Sequence, residues 1–273
     1  MNAEQDTGHS VDRLCTDLGR MGVPENATVL VHASMHQVRP VGRRPDAVLE
    51  ALFKVLGPKG TVVVPAYTTW NSTSSIAFKE ATARMTPQQI DAYKQSLQAF
   101  DPLTTPSWHM GELAEYVRTR PGAARSGHPQ SSFAAIGAKA AELMSFHDRD
   151  CHLGERSPLG AMATQGALVL MLGTQYSTSS VFHLAENCYK EQTLRVYECR
   201  VAAERTGEPA AYDGWTSFED IEYDDSDFHL LGADFERETE AVQVGLVGSA
   251  QSRLYSVRSA AAYAETWMRK NRA

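Results

Sequence analysis

Three short, continuously apolar runs constrain this chain most. They are Thr28-Val29-Leu30-Val31-His32, Thr61-Val62-Val63-Val64-Pro65 and Ala167-Leu168-Val169-Leu170-Met171-Leu172-Gly173. Apolar side chains at consecutive positions demand cover on both faces, the situation of a parallel or mixed sheet between helices. Between the first two runs, Pro45-Asp46-Ala47 opens a helix carrying Val48, Leu49, Leu52, Phe53 and Leu56, and Gly57-Pro58 closes it. Strand, loop, helix, strand is a βαβ unit, so the pattern predicts an α/β fold. In such folds ligands bind beyond the carboxyl ends of the strands.

The remaining elements hang on this frame. A helix is expected over 10–21, capped by Ser10, with others at 87–98, 111–119, 138–146 and from Val257 to Met268. Residues 66–108 form a long insertion after the second strand, containing Tyr67, Trp70, Phe78, Met85, Tyr93 and Phe100; it stands in the position of a lid or substrate loop, and the alternative is that its aromatics simply pack it down. Ser132 to Gly137 enters a short strand, Leu194 to Ala203 reads as another, with a hairpin turn at 204–209, and 243–256 makes a last turn and strand. No repeat or linker interrupts the chain, so residues 1–273 are expected to form a single domain with the 66–108 insertion.

Net charge excludes some functions. At −7 the chain is a poor nucleic-acid binder and is compatible with cationic small molecules. Cys15, Cys151, Cys188 and Cys199 form no CxxC pair, and no HExxH occurs, so no metal is expected. The polar start MNAEQDTGHSVDR has no apolar core of a signal peptide, and no run approaches a membrane span. These features lead us to expect a cytoplasmic protein with no membrane partner.

Several stretches can carry chemistry. His32-Ala33-Ser34 ends the first strand with small residues that let backbone N–H groups approach a phosphate or carbonyl, although neither GxGxxG nor a Walker motif is present. Further on, His183 and Glu186 sit three apart in TSSVFHLAENCYK, about 60° apart around a helix axis, among Val181, Phe182, Leu184 and Ala185. An imidazole oriented by a carboxylate is a general base working near neutral pH. The alternative is an i,i+3 pair that satisfies only itself. The pair follows the most apolar strand, where active sites of α/β folds lie. His128 with Ser131 and Ser132 suggests a Ser–His pair but lacks a GxSxG elbow. His147-Asp148-Arg149-Asp150-Cys151-His152 has the wrong spacing for a helical zinc pair and reads as a solvated polar loop. The acidic run Glu219, Asp220, Glu222, Asp224, Asp225 and Asp227 is either a solvated face or a wall for an amine substrate.

Five stretches taken in order resemble the aminoglycoside 3-N-acetyltransferase family. They are Val31-His32-Ala33-Ser34-Met35; Arg125-Ser126-Gly127-His128-Pro129 with Ser132-Phe133-Ala134-Ala135-Ile136-Gly137; Leu153 to Gly160; Phe182-His183-Leu184-Ala185-Glu186; and Val247 to Leu254. The resemblance covers about residues 10–268 and implies a three-layer α/β/α fold around a mixed sheet. It implies acetyl-CoA as co-substrate and direct transfer to an amine, with His183 and Glu186 as the family's catalytic pair. It places the coenzyme near His32, Ala33, Ser34 and Met35, with Arg39 (or Arg43 or Arg44) toward its phosphates, and near Ser131, Ser132 and Phe133. Tyr67, Glu219 and Asp224 are taken as acceptor contacts. Backbone N–H groups near Ser34 or Gly173–Thr174 are expected to hold the thioester oxyanion. The family more often has Ser where Ala33 stands, and Asn187 and Cys188 are not family features. The 66–108 insertion resembles the family's longer-loop branch, whose substrates are often not aminoglycosides. The acceptor is thus an aminoglycoside, with a role in antibiotic resistance, or another small-molecule amine in biosynthesis. A homodimer is one expected assembly. A rival of another class is an acyl enzyme or amidase using Cys188 with His183.

Overall fold

The computed structural model describes residues 8–188, 193–202 and 214–272. The expected hairpin turn at 204–209 lies outside these residues, as do the first seven residues and Tyr189–Lys190. Among the described residues, no helix is long and apolar enough to cross a membrane.

In chain order the strands are β1 (Thr28–Ala33), β2 (Thr61–Pro65), β3 (Ala124–Arg125), β4 (Phe133–Gly137), β5 (Leu168–Leu172), β6 (Leu194–Arg200), β7 (Trp215–Ile221), β8 (Gln243–Val247) and β9 (Ala250–Ser256). The helices are α1 (Val11–Arg20), α2 (Met35–Val38), α3 (Pro45–Leu56), α4 (Ile76–Thr82), α5 (Pro87–Ser96), α6 (Glu112–Arg118), α7 (Ala140–Met144), α8 (Pro158–Thr164), α9 (Phe182–Glu186), α10 (Phe228–Glu238) and α11 (Val257–Asn271). Seven strands form a mixed sheet in the order β3-β4-β2-β1-β5-β9-β8, and β6 and β7 pair as a separate two-stranded sheet.

The three apolar runs are the centre of the large sheet. β1 pairs in parallel with β2 on one side and β5 on the other, and the flanking pairs β2–β4 and β5–β9 are antiparallel. Alternation along each strand divides the side chains between two cores. Leu30, Val63, Val169 and Met171 face α8, α9, α10 and α11 through Met162, Phe182, Phe228, Leu231 and Ala264. Val29, Val31, Val62, Val64, Leu170 and Leu172 face α1, α3 and α6 through Leu18, Leu52, Leu56 and Val117. This two-sided burial is why the runs carry no polar alternation.

The caps read from sequence form as the chemistry demands. Ser10 accepts the Arg13 N–H at the start of α1, and Pro45 occupies the first turn of α3. The insertion differs from the expectation of a lid. α5 and the turn before α4 pack against the small sheet: Lys94 pairs with Glu198 and lies over the Trp215 ring, and the Thr73 N–H bonds the Glu198 carbonyl. Ser72 and Phe100 bridge to Cys199 and Val201. Of the insertion's aromatics, Tyr67 lines the cavity described below, whereas Phe78 packs at a tilt against Tyr93 and Phe100 lies under Arg125.

Candidate active site

The carboxyl ends of β1 and β5 point the same way because the strands are parallel, with His32 opposite Met171 and Ala33 opposite Leu172. The chain leaving β1 continues as Ser34-Met35 into α2, and the chain leaving β5 runs through Gly173–Ser180 into α9. A cavity of about 570 Å³ opens between them, closed by Tyr67 and by the turn His109–Glu112. That turn is shaped by left-handed backbone at His109 (φ 57°) and Gly111 (φ 89°), the latter seated near the Ala33 carbonyl.

His183 stands in the wall of this cavity, its side chain 15 % exposed. Its Nδ1–H donates to Glu186 Oε2 at 2.5 Å, and the Glu186 side chain is buried. Glu186 Oε1 accepts the Asp224 backbone N–H at 3.1 Å and lies 2.6 Å from Arg272. Tyr223 presents an edge to the imidazole at 5.2 Å, and Phe228 packs against it at 4.7 Å. With Nδ1 committed to the carboxylate, Nε2 is the nitrogen left for chemistry in the cavity.

The opposite wall carries His32, Ala33, Ser34 and Met35. The His32 imidazole is buried, which pulls its pKa down to about 4, and its Nε2 has no hydrogen-bond partner among the described residues. Tyr67 donates to Ser180 Oγ at 2.8 Å and sets its ring edge-on to Phe133; burial raises its pKa. Two expected oxyanion donors are already engaged. Ser34 N–H bonds the Leu172 carbonyl at 2.8 Å, and Gly173 N–H bonds the Gln251 carbonyl at 3.1 Å. Thr174 remains of that group on the cavity wall.

Other residues assigned from sequence fall elsewhere. Ser131, Ser132 and Phe133 are fully buried and outside the cavity lining. Ser131 Oγ bonds the His152 carbonyl, and Ser132 Oγ bonds the Ala66 carbonyl, so these hydroxyls are spent on the frame. Arg39 is exposed and left-handed (φ 52°), and it does not line the cavity; Arg44 pairs with Asp46. Glu219 points to solvent from β7, across from Val196 of β6. Asp224 contributes its backbone N–H to Glu186 while its side chain accepts from the Ser226 N–H; its neighbour Asp225 is the residue of the acidic run that lines the cavity. The run is therefore mostly scaffold. Asp220 is buried on His152, and Asp227 holds Arg272.

The polar loop at 147–152 also departs from expectation. Asp148 and Asp150 pair with Arg156 at the surface, but His152 is buried, with Nδ1 on Asp220 Oδ2 at 2.7 Å and Nε2 on Gln130 Oε1 at 2.8 Å. His128 stacks on His147 and tilts against His152, with ring separations of 4.7 and 4.5 Å. Burial holds all three below the ordinary histidine range, His147 at about 4. Tyr223 links this cluster to the dyad: its hydroxyl donates to Asp220 Oδ2 at 3.2 Å while its ring meets His183. Cys188 lies in a different cavity, of about 500 Å³, lined by Glu155, Leu184, Arg258 and Glu265. Burial raises its thiol pKa, and Sγ contacts the Leu184 carbonyl at 3.8 Å, so it is not placed to serve as a nucleophile beside His183.

Known proteins share the sequence pattern and the fold of this chain. The sequence model of the family described as aminoglycoside 3-N-acetyltransferase matches residues 30–269. The SPbeta prophage-derived aminoglycoside N(3')-acetyltransferase-like protein YokD of Bacillus subtilis is 32% identical over 260 residues, 93% of this chain and 90% of YokD. The crystal structure of YokD superposes with a TM-score of 0.88 at 30% identity, covering 97% of this chain and 95% of that one. Aminoglycoside N(3)-acetyltransferase VII of Streptomyces paromomycinus is 32% identical over 274 residues, covering 94% and 90% of the two chains. AAC-IIIb in its binary complex with CoASH superposes with a TM-score of 0.81 at 27% identity, covering 96% of both chains.

Proposed function

The chain belongs to the aminoglycoside 3-N-acetyltransferase family, and on that premise we propose that it transfers the acetyl group of acetyl-CoA directly to an amine of a small-molecule acceptor, with His183 as general base. The observation that carries this reading is the buried Glu186 carboxylate 2.5 Å from His183 Nδ1, beside a cavity at the carboxyl ends of two parallel core strands. An amine is protonated at neutral pH and must lose a proton to attack a thioester carbonyl. Nε2 of His183 takes that proton, the neutral amine then forms the C–N bond, and as the C–S bond breaks a second proton passes from the nitrogen to the sulfur, so the coenzyme departs as the thiol. Glu186 fixes the tautomer and stabilises the imidazolium.

Thr174 is the donor we assign to the carbonyl oxygen as negative charge develops there. The His32-to-Met35 wall fits the acyl end of the coenzyme. His32 Nε2 is a buried nitrogen without a partner among the described residues, and the coenzyme's amide and thioester groups offer one. A relative in complex with CoASH supports the same reading. We read the chain as one domain acting in the cytoplasm. Asp225 and Glu112, the carboxylates of the cavity lining, are the counter-charges offered to a cationic acceptor.

The test is release of free thiol from acetyl-CoA across a panel of aminoglycosides and simpler amines, with His183→Ala alongside. The variant should lose roughly 10²–10⁴-fold in turnover. Near-wild-type turnover in that variant would refute the assignment. Turnover confined to small amines would assign the chain to biosynthesis rather than resistance.

A further inference from the structure

Glu186 does not serve His183 alone. Its Oε1 lies 2.6 Å from Arg272, directly beyond the end of α11. Arg272 is itself gripped on several sides. It meets both oxygens of Asp227 at 2.8 and 2.5 Å, donates to the Asp224 carbonyl at 2.7 Å, and sits 5.8 Å from the Phe228 ring. Its side chain is only 16% exposed. Burial opposes its charge, but the hydrogen bonds to Asp227 and Glu186 outweigh this and raise its pKa.

The four side chains form a line of alternating character: imidazole, carboxylate, guanidinium, carboxylate. Without the guanidinium, Glu186 and Asp227 would leave two anions behind the imidazole, a change that favours the imidazolium form. A protonated imidazole cannot accept a proton from an amine. The other neighbours do not replace Arg272. Tyr223 and Phe228 are uncharged, Asp224 and Asp225 are further anions, and His152 beyond Tyr223 is spent on Asp220 and Gln130. On α11, Arg269 is paired with Glu265 and donates to the Cys188 carbonyl.

We propose that Arg272, clamped by Asp227, is a positioning residue that fixes the Glu186 carboxylate and offsets the negative charge behind the His183 imidazole. This rests on the reading of His183 as the base, and the test separates the two.

The His183 ring is titrated by NMR in the intact chain, its signal identified by absence from His183→Ala. Arg272→Gln should move that titration up by about one pH unit, and Asp227→Asn should move it down by a smaller amount. Arg272→Lys, which keeps the charge, should stay near the wild-type value. The acid limb of kcat/KM should move with the ring. A structural contribution alone would lower turnover equally at every pH and leave the titration in place. An unmoved titration in Arg272→Gln overturns the proposal, and if that variant does not fold, an unmoved titration in Asp227→Asn does so. If the ring titration moves but His183→Ala retains turnover, the base assignment fails while the role of Arg272 in setting the charge of His183 stands.

Discussion

The fold should be acid-sensitive well above the range where carboxylates titrate, because it buries neutral histidines. His32 and His147 are both held at about 4 by burial, against about 6.5 in an unfolded chain. Between those values the unfolded chain binds protons that the folded one refuses, so stability falls as pH falls. At pH 5 each group costs about 2 kcal/mol relative to pH 7.5, and each approaches about 3.4 kcal/mol below pH 4. The two together remove about 4 kcal/mol at pH 5, a large share of the roughly 5–15 kcal/mol typical of folded proteins. His128 and His152, also lowered by burial, act in the same direction. Paired carboxylates contribute little in this window. Burial opposes the charge of Glu115, yet Arg118 and Ser107 hold it at about 2, so its stabilising effect is lost only at lower pH. Urea unfolding followed by circular dichroism at about pH 7.5, 6 and 5 measures the effect. His147→Gln should flatten the profile by about 2 kcal/mol if it folds. A wild-type loss below about 1 kcal/mol between pH 7.5 and 5 would refute the reasoning.

Three further outcomes follow from the geometry. Glu186→Gln keeps the shape beside His183 but removes the charge that stabilises the imidazolium, and turnover should drop roughly 10²–10³-fold with substrate KM little changed, read in the free-thiol assay. Cys188→Ser should leave turnover at the wild-type level, since the thiol lines a separate cavity; loss of activity there would revive a covalent route. Gly173→Ala should lower stability by about 2 kcal/mol or more in thermal unfolding, because φ is 68° and a Cβ would meet the Gln37 side chain at 2.4 Å.

The central strands were legible because burial on both faces leaves an unbroken apolar signature; β2 spans Thr61–Pro65 in the structure as in the sequence. The His183–Glu186 pair was legible because its members are neighbours on one helical turn. Arg272 was not, because it reaches Glu186 from 86 residues away and nothing local marks the meeting. α10 was hidden behind the acidic run: Asp224 to Asp227 reads as a solvated loop, and only Phe228, Leu231 and Phe235 give the helix a buried stripe. Ser131 and Ser132 misled because a hydroxyl satisfying a buried carbonyl has the same letter as one contacting a ligand. His128, His147 and His152 carried no periodic signal, since their stacking depends on three loops and β7 folding together.

The ladder between β1 and β5 acts as a ruler for the cavity. The two walls of the cavity are rooted on adjacent strands in fixed register, and neighbouring strands lie about 4.8 Å apart whatever side chains they carry. The gap between the His32 wall and the start of the His183 wall is therefore set by backbone hydrogen bonds. Side chains and loops tune only what lies above that base. Room for a larger or smaller acceptor has to come from the rim, at His109–Glu112, Ser177–Ser180 and Asp225. Exchanging those rim segments between relatives would reshape the mouth of the cavity while leaving its two walls at the same separation.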